Sequence, residues 1–148
     1  MVTRQAIQAL GDHDVDGWVD ETGAFTVVRY DQGGAFPTAS SPGPSTRGNY
    51  FFTGSPSANF ATASQTVNIS ACAAAVDTGQ LEFSLSGYFG GIGADNDRAR
   101  LDVQFYNGSN IQIGLTTIGP VTNDDRGNTT GLLSRGISGF IPIATRSI

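Results

Sequence analysis

Three segments in the second half of this chain alternate apolar and polar residues strictly: Leu81-Phe83-Leu85, Leu101-Val103-Phe105 and Ile111-Ile113-Leu115. Period-two spacing puts each apolar set on one face of an extended strand, the pattern of strands half-buried in a sandwich core. A fourth apolar run, Ile141-Pro142-Ile143 followed by Thr145-Arg146-Ser147-Ile148, reads as the start of a further strand. A sheet that lacks the neighbour of such a strand presents a row of unpaired N–H and C=O groups, which invites pairing with another chain. The sequence thus predicts an open sheet edge beside 145–148, and a homo-oligomer formed through it, with the N-terminal ten residues as the available donor segment. Those ten residues also share a helix face at Ala6, Ile7 and Leu10, so a short docked helix is an equal reading.

At 148 residues the chain is long enough for one domain with a sizeable core. Twenty Gly and six Pro, and no helix-period segment beyond the first ten residues, predict an all-β protein rich in turns. Strands are expected at Phe25-Thr26-Val27-Val28-Arg29-Tyr30, at Asn49-Tyr50-Phe51-Phe52 and at Gln65-Thr66-Val67-Asn68-Ile69-Ser70, with one helical turn over 71–75. The segment 90–97 is the expected turn between two core strands, and Asn107-Gly108 a hairpin signal ahead of Ile111.

Charge narrows the partners. Eight Arg and no Lys stand against thirteen acids, for a formal charge of −5. An acidic chain without a basic cluster is a poor ligand for nucleic acid or an anionic membrane, so neither is an expected partner. The single Cys72 excludes an intrachain disulfide, and its Ala-rich surroundings predict a small buried hydrophobe.

The order Gly17-Trp18, Phe25-Thr26-Val27-Val28-Arg29-Tyr30, Gly48-Asn49-Tyr50-Phe51-Phe52, Gln65-Thr66-Val67, Leu85-Ser86-Gly87-Tyr88-Phe89-Gly90-Gly91, Gly119-Pro120-Val121-Thr122, Asp125-Arg126 and Gly139-Phe140-Ile141-Pro142 with Thr145-Arg146-Ser147-Ile148 resembles a galactose-binding-like jelly roll of exported bacterial proteins. The resemblance implies a β-sandwich of two antiparallel sheets over 17–148, preceded by a separate segment 1–16, in an extracellular or cell-surface protein. Members of that type continue past the equivalent of Thr145-Arg146-Ser147 into another strand, so the last strand reads as incomplete. The fold hosts lectin-like modules, adhesion domains and enzyme accessory domains, and does not choose among them.

Two sites are expected. Asp12, Asp14, Asp16 and Asp20 have the alternating spacing of the first half of a calcium loop, whose carboxylates converge on a hard cation. Gly23 stands where an EF-hand would carry its bidentate Glu, so the alternatives are a repeat-type Ca²⁺ turn and an acidic solvated loop. For a ligand, a glycan needs an aromatic face beside forked donors and carboxylates. Trp18, Tyr88, Asn96, Asp97, Arg98 and Arg126 supply those groups, Tyr88 and Phe89 being read as loop aromatics. Trp18 also fits a plug in the sandwich, the preferred reading, and the two Arg fit loop-to-loop ion pairs. Catalysis is not expected: His13 is the only His, no nucleophile motif is present, and the acid pairs Asp95/Asp97 and Asp124/Asp125 lie in turn-rich sequence, where Asp organises backbone. The sequence thus predicts a noncatalytic carbohydrate-binding or adhesion module or, alternatively, a structural subunit that self-assembles by strand exchange.

Overall fold

The computed structural model describes residues 17–23, 25–54 and 60–148. They form two compact units: one holds the described residues up to Ser40 together with Ser45–Gln65, the other Ser41–Pro44 with Thr66–Ile148.

In the first unit, β1 (Val19–Thr22) pairs antiparallel with β4 (Thr62–Ser64), and β2 (Phe25–Arg29) with β3 (Tyr50–Gly54). The β-branched and aromatic run of β2 sorts onto two faces. Phe25 stacks on Phe52 at 4.9 Å, whereas Tyr30, just past the strand, meets Phe51 at 5.0 Å. Gly23 joins β1 to β2 at a φ of +67°, and a Cβ there would lie 2.3 Å from the Phe60 carbonyl oxygen, so no other residue fits the turn.

The second unit carries β5 (Glu82–Gly91), β6 (Leu101–Asn107), β7 (Gln112–Ile118), β8 (Gly131–Phe140) and β9 (Thr145–Ser147). A 3-10 turn at Ser70–Cys72 leads into the short helix α1 (Ala73–Val76). β5 pairs with β8 over ten residues, and the second sheet runs β7-β6-β9, all antiparallel. The alternation in β5 and β6 turns Phe83, Leu85 and Phe89 toward Leu101, Val103 and Phe105, so the two sheets pack face to face as a β-sandwich. One end of this core centres on Val76, Phe105 and Ile141, the other on Phe89, Ile118 and Val121. The protein is therefore all-β, as the sequence predicts.

Five expectations change. The strand expected over 65–70 reduces to a single bridge between Asn68 and Ser147, ahead of the 3-10 turn. Ile111, Ile113 and Leu115 do not face the core; they are 59 %, 37 % and 57 % exposed. The inner positions of β7 are Gly114, Thr116 and Ile118, opposite Phe105, Val103 and Leu101. The reason is steric: a Cβ on Gly114 would lie 3.0 Å from Pro142 and 3.1 Å from the Phe105 ring, so those neighbours occupy the space an inward side chain would need. Cys72 is exposed at the 3-10 turn instead of buried. Tyr88 and Phe89 lie within β5, not in a loop, with Phe89 in the core. Finally, the terminal strand has neighbours on both sides. Beyond β6, the 67–69 segment flanks β9: Val67 N–H donates to Ile148 O at 2.7 Å, Ile148 N–H to Val67 O at 3.0 Å and Ile69 N–H to Arg146 O at 2.9 Å. The edge beside 145–148 that the sequence predicts to be open is filled from within the chain.

Candidate functional site

The sequence-predicted ligand residues divide between the two units. Trp18, in the first, is half-buried, with Phe25 at 6.1 Å and Phe52 at 5.7 Å, so its ring belongs to an aromatic cluster. In the second unit, Tyr88 stands on the outer face of β5 opposite Ser134, 45 % exposed. Asn96, Asp97 and Arg98 are exposed in the connection between β5 and β6.

Arg126 is the residue whose role the structure defines most sharply. It is buried, and its guanidinium donates to three backbone carbonyls: Nη1 to Gly93 O at 3.0 Å and to Thr129 O at 2.7 Å, Nη2 to Asp95 O at 2.9 Å. Its Nε has no hydrogen-bond partner. The planar fork thus ties the 92–100 connection to the 119–130 loop, using donors a ligand would otherwise receive. In the same loop Asp125 organises backbone: it accepts from the Thr122 N–H and hydroxyl, both at 2.9 Å, and those bonds hold its carboxyl below the usual carboxylate range, with Arg135 at 3.3 Å adding to them.

For calcium, Asp12, Asp14 and Asp16 lie outside the described residues. Asp20 is exposed on β1 opposite Ala63, and among the described residues no three acidic, His or Cys groups converge.

A different cluster has the mixed chemistry of a ligand site. At the end of β2 the first unit holds a cleft of about 170 Å³ lined by Arg29, Tyr30, Asp31, Arg47 and Asn49 among others. Arg29 and Asp31 form a fork: Nε donates to Oδ1 at 2.8 Å and Nη2 to Oδ2 at 2.7 Å. That bond raises the Arg29 pKa further, so its charge is fixed. The Arg47 guanidinium lies over the Tyr30 ring at 5.1 Å while Nη1 donates to Thr38 O at 2.9 Å. Burial pushes the Tyr30 phenol above its ordinary range against the opposing pull of Arg47. Tyr30 N–H donates to Asn49 O at 3.0 Å, which fixes Asn49 at the rim. The cleft therefore brings together a tyrosine ring covered by a guanidinium, a forked Arg–Asp pair and an amide-bearing residue. Sequence reading missed it because Arg47 lies eighteen residues beyond Arg29 across a Gly- and Pro-rich loop; the local signal was the Arg-Tyr-Asp run at the end of β2.

No protein-family model, curated protein or solved structure matches this chain.

Proposed function

We propose that this chain is a noncatalytic carbohydrate-binding or adhesion module of an extracellular or cell-surface protein, with a jelly-roll, galactose-binding-like sandwich, and that its sugar site is the cleft at Arg29, Asp31, Arg47 and Asn49. The observation that carries the reading is the pairing, in one concavity, of a forked Arg–Asp pair with a guanidinium laid on a tyrosine ring. A pyranose offers hydroxyls in vicinal pairs. The Asp31 oxygens keep lone pairs beyond the two that Arg29 uses, and the Asn49 amide adds a donor and an acceptor. The resemblance to galactose-binding-like jelly rolls supports the same class. Relocating the site from the 92–100 and 119–130 loops follows from Arg126, whose donors are engaged by carbonyls.

A cleft of this size holds about one sugar unit, so binding is weak, in the micromolar to millimolar range that corresponds to roughly 4–8 kcal/mol. The test is a glycan array followed by titration calorimetry on the best hit. Asp31→Ala and Asn49→Ala should each weaken binding about tenfold, the effect of losing one well-placed charged or neutral hydrogen bond. A blank array overturns the function, and a hit whose affinity ignores both substitutions overturns the cleft.

A further inference from the structure

The charge of the cleft at the end of β2 bears on which sugars it takes. Its lining carries two guanidinium groups, Arg29 and Arg47, against one carboxylate, Asp31. The cleft is thus positive in a chain whose formal charge is −5. A concave patch of one sign focuses its field into the cavity and raises the local concentration of opposite charge.

Arg29 supplies the contact for that charge. A guanidinium holds five N–H donors in one plane. Asp31 takes one from Nε and one from Nη2, at 2.8 and 2.7 Å, along a single edge of the plane. The end-on edge, formed by Nη1 and the second N–H of Nη2, meets no acceptor among the described residues, and the Arg29 side chain is 55 % exposed. Two parallel N–H groups of this kind match the spacing of two oxygens of a carboxylate or a sulfate. Asp31 occupies the other edge, so its carboxylate does not compete for these donors. The fork, and the Tyr50 ring 5.9 Å from the Arg29 Cζ, hold the guanidinium before a ligand arrives, which reduces the ordering a ligand must impose. A pair of hydroxyls can accept on the same edge, but only an anion also offsets the excess positive charge of the lining.

We propose that the cleft selects acidic sugars, with a uronate carboxylate or a sugar sulfate on the end-on edge of Arg29 and ring hydroxyls on Asp31 and Asn49; this rests on the glycan reading above.

Nuclear magnetic resonance titration of the full chain with matched sugars tests it. The probes are galactose, galacturonate and galactose 6-sulfate, glucose and glucuronate, with acetate and inorganic sulfate as sugar-free anions. An array hit outside these is compared with its own acidic or neutral counterpart. At low salt an acidic member should bind about fivefold tighter than its neutral match, the effect of one exposed but well-held ion pair. The carboxylate and sulfate arms show which acid group is taken. At about 0.5 M NaCl the preference should shrink, because exposed charges are screened. Arg29→Gln should bring the acid-to-neutral ratio toward one, and Arg29→Lys, which keeps the charge without the fork, should retain part of it. Asn49→Ala should weaken both members of a pair alike and preserve the ratio. Circular dichroism confirms folding, and Arg47→Gln, which also removes the excess charge, replaces Arg29→Gln should that variant not fold. Neutral and acidic sugars bound equally, or a preference indifferent to salt and to loss of the guanidinium, would overturn the proposal and leave the glycan site standing. Acetate or sulfate bound as tightly as the sugar acids would show a site for free anions only and overturn it as well. No binding by any sugar, together with a blank array, would overturn the glycan reading and this proposal with it.

Discussion

Replacing Arg126 by Ala tests whether the two loops at one end of the sandwich are held by a single buried cation. Three charge-assisted hydrogen bonds, at 3.0, 2.7 and 2.9 Å, reach Gly93 O, Thr129 O and Asp95 O. At about 1.5–3 kcal/mol each they contribute roughly 4–9 kcal/mol gross. Holding a guanidinium out of water with no carboxylate among those partners costs several kcal/mol, and the partnerless Nε adds about 1–3 kcal/mol to that cost. The net loss on Arg126→Ala is therefore about 2–4 kcal/mol. At about 2–4 °C per kcal/mol for a chain of this size, the melting temperature should fall by about 5–15 °C. Urea denaturation followed by circular dichroism reads this directly; tryptophan fluorescence does not, because Trp18 lies in the other unit. Arg126→Lys, which keeps the charge but not the planar fork, should fall between the two. Hydrogen exchange should quicken at Gly93 and Arg126, whose amides donate to Thr130 Oγ1 and to carbonyls of the same loop. A loss below about 1 kcal/mol for Arg126→Ala would show that desolvation cancels the hydrogen bonds, and would refute the claim that this side chain ties the loops.

Gly90→Ala should cost more than about 3 kcal/mol or abolish folding of the second unit. A Cβ there would lie 1.8 Å from Gly131 O, so β5 and β8 would have to separate, and urea melts of the purified variant check it. Asp77 accepts from Arg146 Nη1 at 3.0 Å and Nη2 at 2.7 Å, and from the Ala144 N–H at 3.1 Å. The Arg146 bonds, foremost, hold its pKa below the ordinary value. A depressed folded-state pKa gives stability that is present above the unfolded value, about 3.9, and is lost as pH falls through the folded one. Melting temperatures between pH 5 and 2 should accordingly decline less steeply for Asp77→Asn than for the parent chain, and parallel curves would refute the linkage.

Sequence alone determined the elements whose signals are local. The β-branched and aromatic runs of β2 and β3, the alternation of β5 and β6, the helical turn near 71–75 and the Asn107-Gly108 hairpin all stand where their residues require. Asn110 closes that hairpin at a φ of +59°, a conformation Asn tolerates. β8 was not legible, because Ser134, Gly136, Ser138 and Gly139 break its period; it forms because β5 offers ten residues of ladder. The candidate site was legible only in part. Arg29 and Asp31 are neighbours along the chain, but Arg47 reaches Tyr30 only through the fold. Orientation was the other decision left to tertiary structure. In β7 the alternation rule is satisfied as well with Leu115 outside as inside, and the bulk of Phe105 and Pro142 over Gly114 turns Leu115 outward, while a register shift makes Ile113 an extra residue in the ladder. Burial of Arg126 follows from where three carbonyls converge, and carbonyl positions depend on the packed backbone of two loops some thirty residues apart. Side-chain type and spacing fix what a strand can do, whereas which face meets the core is settled by the volume its neighbours have already filled.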